Sequence, residues 1–159
     1  MLFKEEQHVN RWKVVPVILL AVAGLLFSFF RQPDDGASKW FLLGMLLLVT
    51  GISVLMLRAK LETQIDRYAI KYRFFPFINS WRRIEKEQIT SLEVAKYSPI
   101  LEYGGYGYRF SIKNGRALNV AGNKGLKIVN LKNKKLLIGT QKPEEMEQAI
   151  NQFLNENQE

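Results

Sequence analysis

Few of the 159 residues could carry covalent or metal chemistry. There is no cysteine, which removes disulfides, thiolate nucleophiles and thiolate metal ligands. There is a single histidine, His8, so a zinc site built from histidines cannot be assembled within one chain. Carboxylates, lysines and hydroxyls remain. Glu85 and Glu87 stand close together, but among Arg82, Arg83 and Lys86, the pattern of a solvated charged turn. No Ser/His/Asp set, no G-x-S-x-G and no metal-ligand spacing is present. The expectation is a protein that is not an enzyme, with no catalytic residue, metal or cofactor.

Binding is the chemistry the residue types do suggest. The net charge is +8, unevenly spread. Residues 58–142 hold 18 Lys/Arg against 6 Asp/Glu, and residues 143–159 hold 5 Glu with no Lys or Arg. A basic body with an acidic tail fits a domain kept near anionic lipid, or an interaction surface. Arg73-Phe-Phe-Pro-Phe77, followed by Trp81-Arg-Arg83, interleaves aromatics with bases. As a loop it would dip into a headgroup region, with Arg73, Arg82 and Arg83 meeting anionic phosphates. The competing reading has Phe74 and Phe77 closing a core while the arginines are solvated, and Phe74 continues a strand alternation that favours it. Gly122-Asn-Lys-Gly125 could form a backbone nest for an anion with help from Lys124, although the same residues also make an ordinary turn. It lacks the Lys-Ser/Thr ending of a nucleotide P-loop. Gly104-Gly105-Tyr106-Gly107 reads as a binding loop or a bulge.

The elements that would position these groups fall into two parts. Residues 14–30 and 40–57 carry no charge, and as helices they would be about 26 and 27 Å long. A bilayer core is about 30 Å thick, so flanking Arg11, Lys13, Arg31, Lys39, Arg58 and Lys60 would snorkel to make up the difference. Trp12 and Trp40 stand where an interfacial aromatic belt would be. No small-x-small cleavage pattern follows the first run, which argues against a signal peptide. Pro33 and Gly36 mark a turn, and so short a connection makes the helices antiparallel. Lys and Arg are denser on the two outer flanks than in residues 31–39, which places both termini in the cytoplasm of a multi-pass protein of the cell (inner) membrane. Neither span holds an ionisable residue, so the pair reads as an anchor rather than a channel. Ala21, Gly24 and Ser28 share one face, Gly44 and Gly51 another. They either pack the hairpin on itself or form a seam between copies of the chain.

From Leu61 onward the pattern is of period two. Leu61, Thr63 and Ile65, then Tyr68, Ile70, Tyr72 and Phe74, predict a hairpin. Leu92 and Val94 mark another strand. Tyr106, Tyr108, Phe110 and Ile112 alternate with Arg109, Ser111 and Lys113, which assigns the first four to a core face. Asn114-Gly115 is a strong hairpin turn, with Leu118 and Val120 on the return strand. Residues 126–131 and 136–138 predict two more strands joined by Lys132-Asn-Lys-Lys135. Pro143 starts a closing helix, with Glu144, Glu145 and Glu147 near its positive end. Its apolar stripe is Met146, Ala149, Ile150, Phe153 and Leu154. Tyr106 and Tyr108 could stack bases, but their alternation and the membrane tether argue against a nucleic-acid partner.

The expected organisation is a cytoplasmic segment at 1–13, transmembrane helices at 14–30 and 40–57, an external loop at 31–39, a β-rich domain at 61–155 and a frayed tail at 156–159. About seven short antiparallel strands in a partly open barrel, capped by an amphipathic helix, describe a mainly β, pleckstrin-homology-like (PH-like) domain. Together with Leu137-Ile-Gly-Thr-Gln-Lys-Pro-Glu-Glu-Met146, Gly105-Tyr-Gly-Tyr-Arg109 and Gly122-Asn-Lys-Gly125, the chain resembles uncharacterised bacterial membrane proteins with a two-helix hairpin and a PH-like domain. The resemblance covers nearly the full length and rests on structural motifs. It implies the fold and carries over no catalytic residue. The expected function is a scaffold or protein-interaction module at the cytoplasmic leaflet, binding an unknown protein partner or a second copy. The alternative is a module for anionic lipid headgroups or a small ligand, using Arg73, Arg82, Arg83 and Lys124.

Overall fold

The computed structural model describes residues 1–31 and 36–155. Pro33 and the expected tail at 156–159 lie outside them. The chain divides into two compact units: Val9–Ala59, and Met1–His8 together with Lys60–Glu159.

The first unit is a pair of helices, α1 (Arg11–Arg31) and α2 (Gly36–Leu57), packed on one another. Both are long and apolar enough to cross a membrane, over Val14–Arg31 and Ser38–Leu57. Leu20, Phe27 and Phe30 on α1 and Phe41 and Leu47 on α2 are exposed, unlike the side chains of a helix in a globular core. The hydroxyls are satisfied within their own helices: Ser28 Oγ donates to Gly24 O at 2.9 Å and Ser53 Oγ to Val49 O at 2.7 Å. A Cβ added at Gly24, Gly44 or Gly51 would meet nothing within 4 Å. These glycines are therefore not where the two helices approach, which corrects the expectation that they pack the hairpin on itself.

The second unit contains two sheets and two helices. The four-stranded sheet runs β1 (Phe3–His8), β2 (Lys60–Ile65), β3 (Ala69–Phe75), β4 (Ile78–Glu85), all antiparallel. A 3-10 turn, Lys86–Gln88, leads to β5 (Ile89–Lys96). The short α3 (Pro99–Tyr103), β6 (Gly107–Ser111), β7 (Gly115–Asn119), β8 (Lys124–Asn130), β9 (Lys135–Thr140) and α4 (Pro143–Asn155) follow. The five-stranded sheet has the order β5-β8-β9-β7-β6, with β7 and β9 parallel and the other neighbours antiparallel.

Several expectations are corrected here. The strands fall into two sheets, and among the described residues there are nine of them where about seven are expected. One addition is β1, within what reads as a plain N-terminal segment. Its alternation is carried by Phe3, Glu5 and Gln7, which are buried, and two of the three are polar. A hydrophobicity pattern cannot register such a strand. Glu5 Oε2 accepts from Thr140 Oγ1 at 2.7 Å and Oε1 from the Gln141 N–H at 2.8 Å, while Gln7 Nε2 donates to Gly139 O at 2.7 Å. Hydrogen bonds to a buried strand end thus replace apolar contacts. The other addition is β4, which takes in the Trp81-Arg-Arg83 segment expected as a loop. Phe74 is 1% exposed and in the core; Phe77 is 56% exposed in the β3–β4 turn.

One face of the four-stranded sheet buries Leu61, Ile65, Ile70 and Phe74, and one face of the five-stranded sheet buries Leu118, Leu126, Ile128 and Ile138. α4 touches β1, β2, β5 and β8 and closes this core with Met146, Ala149, Ile150 and Phe153. Leu154, assigned to the same stripe, is 46% exposed. Lys86 Nζ donates to the carbonyl of Phe153, placing a cation at the negative end of α4. On the other face of the five-stranded sheet, Tyr97, Tyr103, Ala117 and Leu137 make a small second core. Ahead of Gly104-Gly105-Tyr106-Gly107 stands α3, with Ser98 as N-cap and Gly104 ending it at φ 72°. The core assignment of Tyr106, Tyr108, Phe110 and Ile112 does not hold: all four are exposed, Ile112 at 98%. β6 is the last strand of its sheet, and its side chains are covered only in part: Tyr108 stacks on Phe77 with ring centroids 5.9 Å apart, Phe110 faces a cavity, and Tyr106 and Ile112 lie beyond the strand's ends.

Candidate anion-binding site

A cavity of the β unit has a volume of about 660 Å³ and is lined by residues of both sheets. Tyr72 and Ile84 come from the four-stranded sheet, and Phe110, Ile128 and Leu136 from the five-stranded one. Around these apolar groups stand Arg83, Lys113, Arg116, Lys134 and Lys135. Gln88, Asn130 and Asn133 add amides, and no Asp or Glu is among the described lining residues. Its size is that of ordinary small-ligand sites. A second cavity of about 220 Å³ mixes charges, with Glu93 and Glu102 beside Lys127.

Two hairpins supply four of the five cations, Lys113 and Lys134 in the turns and Arg116 and Lys135 near the starts of β7 and β9. In the β6–β7 turn, Gly115 adopts φ +77°, and an added Cβ would lie 2.3 Å from the carbonyl oxygen of Lys135. Only glycine lets β7 approach β9 that closely. This parallel pairing sets Arg116 opposite Leu136 and brings the β6–β7 turn beside the start of β9. The β8–β9 turn is shaped by Asn130, whose Oδ1 accepts from the N–H groups of Lys132 (3.1 Å) and Lys134 (2.9 Å). Asn133 takes the left-handed φ of 55°. Lys135 Nζ donates to the Lys113 carbonyl at 3.3 Å and ties the two turns together. Leu131 N–H donates to Gln88 O at 3.0 Å and ties the second turn to the 3-10 segment.

Tyr72 lies opposite Arg82 in the register of β3 and β4, on the same face as Ile70 and Phe74. Burial pushes its phenol pKa up, against the pull of the Arg116 and Arg82 guanidiniums, with Tyr108 adding to the rise. Its hydroxyl therefore stays protonated at neutral pH and can donate to an anion. The described lining holds donors and fixed positive charge but no carboxylate, imidazole or thiol. It suits the binding of an anion more than proton transfer at neutral pH.

Of the four residues singled out from sequence, Arg83 lines the cavity, with Nε 3.6 Å from Glu85 Oε1. Arg82 stands next to it on β4 and acts on Tyr72 through its charge. Arg73 does not contribute. Its Nε donates to Glu62, whose other oxygen is 2.6 Å from Lys60 Nζ, and its guanidinium lies 4.8 Å over the Trp81 ring. Lys124 begins β8, opposite Lys96 and Thr140, away from the cavity lining. Gly122, at φ +83°, belongs to a turn. Lys113, Arg116, Lys134 and Lys135 escape a residue-by-residue reading. The available signal is that Lys113-Asn-Gly-Arg116 and Lys132-Asn-Lys-Lys135 are both basic hairpin turns. Among the described residues no three of His, Asp and Glu converge as metal ligands would.

No family model, curated protein or solved structure matches this chain.

Proposed function

We propose that this protein is a membrane-anchored binding module whose β unit takes up an anionic ligand in the cavity between its sheets. The observation that carries the reading is a 660 Å³ cavity with five cationic residues and no described acidic one in its wall. Like charges gathered at one site destabilise a fold unless an anion joins them. α1 and α2 serve as the anchor. β1 leads into α1, α2 leads into β2, and His8 is the Cα partner of Lys60. Both ends of the hairpin therefore depart from one point of the β unit. With the excess of Lys and Arg on the outer flanks, this supports a cytoplasmic β unit and cytoplasmic termini at the inner membrane of a bacterium. A relation to the hairpin-plus-PH-like proteins is supported by the antiparallel hairpins and the terminal amphipathic helix. The parallel β7–β9 pair and the N-terminal strand depart from it.

Calorimetric titration of the full-length protein in a neutral detergent with pyrophosphate tests this reading. We expect binding that weakens with salt, is lost in an Arg116→Glu/Lys134→Glu double variant and persists in Lys124→Glu. Equal binding by all three proteins would refute it. A scaffold role is the second reading, favoured by β4 and β6 being sheet edges with Trp81, Phe110 and Ile112 exposed. Recovery of a specific protein partner, lost in Ile112→Lys but not in the double variant, would establish it instead.

A further inference from the structure

Resting on the anion-binding reading, we infer that the ligand is a soluble phosphate compound bearing a flat ring, of the size and charge of a nucleoside diphosphate, rather than a headgroup of the anchoring bilayer. Three observations lead there.

The first is the composition of the wall. Arg83, Lys113, Arg116, Lys134 and Lys135 share it with an apolar and aromatic part made of Tyr72, Phe110, Ile84, Ile128 and Leu136, and the two intermingle, Arg116 being paired with Phe110 on one side and Leu136 on the other. A bare inorganic anion would leave that apolar part without a partner. A lipid headgroup carries no flat ring to set against Tyr72 and Phe110. A phosphorylated ring compound uses both kinds of group, the ring on the aromatic side chains and the phosphates on the cations. The second observation is volume. A cavity of about 660 Å³ is several times the size of a phosphate and falls in the range that holds compounds of this class.

The third is position along the strands. The row in which the chain passes to the helices is His8, Lys60, Phe75. The cavity takes Tyr72, level with Thr63, and Ile84, whose partner Ile70 is level with Ile65. At about 3.3 Å per residue these rows lie roughly 10 and 17 Å further along the sheet. Gln88 and the β8–β9 turn continue in that direction, since Leu131 is bonded to Gln88. The cations thus gather at the end of the β unit away from the row of His8, Lys60 and Phe75.

The test compares three probes on the full-length protein in phosphatidylcholine nanodiscs, without divalent metal: ADP, pyrophosphate, and a short-chain phosphatidic acid that supplies phosphate without a ring. We expect ADP to bind about tenfold more tightly than pyrophosphate, the worth of one stacked ring. Phe110→Ala should erase that advantage, costing ADP more than it costs pyrophosphate; the side chain is exposed, so the fold survives its loss. Tyr72→Leu, which keeps bulk but removes the phenol, should weaken ADP more than pyrophosphate. Equal affinity for ADP and pyrophosphate, or an ADP advantage untouched in both variants, overturns the ring and leaves the anion site standing. Phosphatidic acid binding as tightly as ADP overturns the soluble source. If no probe binds more tightly than it does to the Arg116→Glu/Lys134→Glu protein, both this inference and the reading beneath it fail.

Discussion

Replacing Glu5 by alanine tests whether the first six-residue strand belongs to the β unit. Glu5 is 5% exposed and its two oxygens each accept one bond, from the Thr140 hydroxyl and the Gln141 N–H. Truncation leaves both donors behind. The Thr140 hydroxyl is buried, and a stranded buried donor costs about 1–3 kcal/mol. Gln141 is exposed, so its N–H regains water and loses about 1 kcal/mol. The sum is on the order of 3 kcal/mol, a large part of the stability of a small domain. With a urea dependence of about 1.5 kcal/mol per M, the midpoint falls by about 2 M. Pulse proteolysis of the full-length protein in urea reads the β unit without interference from the helices. Glu6→Ala is the internal control. Glu6 alternates to the outer face and pairs with Lys60 at 2.7 Å in solvent, so its loss shifts the midpoint far less than that of Glu5. Glu5→Gln, which keeps one acceptor, falls between the two. If Glu5→Ala and Glu6→Ala shifted the midpoint equally, β1 would not be docked on β2 and the strand end at Gly139–Gln141.

Four further outcomes are expected. Phe153→Ala, at a fully buried position, loses about 3–5 kcal/mol by the same proteolysis assay, whereas Leu154→Ala stays within about 0.5 kcal/mol. Gly115→Ala loses about 2 kcal/mol or more, from its left-handed backbone and the clash with Lys135, and weakens pyrophosphate binding by moving Arg116; hydrogen exchange at residues 116–118 should accelerate. For Asp66, burial pushes the carboxyl up, but bonds from Lys71 and the Tyr68 and Ala69 N–H groups and the charge of Lys71 together hold it below its ordinary value. Its contribution is therefore full above the carboxylate range and lost as pH falls below about 4, so Asp66→Asn should flatten the acid side of a stability-against-pH curve. Tags ahead of Met1 and behind Glu159 should be digested from the same face of sealed vesicles, because β1 and β2 are hydrogen-bonded to each other; digestion from opposite faces would exclude that pairing.

The sequence alone determined the two apolar helices, because uncharged runs of that length announce themselves without regard to what surrounds them. It determined the β2–β3, β6–β7 and β8–β9 hairpins and the start of α4 as well, since alternation, Asn114-Gly115 and Pro143 act through local backbone preferences. Tertiary structure decided what lies on the far side of each face. Tyr108, Phe110 and Ile112 alternate as well as any core strand, yet they are exposed, on and just beyond the last strand of their sheet. β1 stays hidden in the sequence because Glu5 and Gln7 are buried by hydrogen bonds to residues more than a hundred positions away. The cavity depends on a parallel β7–β9 contact that sets two basic turns side by side. Charge is a property of residues, but a site is a property of their separation, and that is fixed only when distant strands pair.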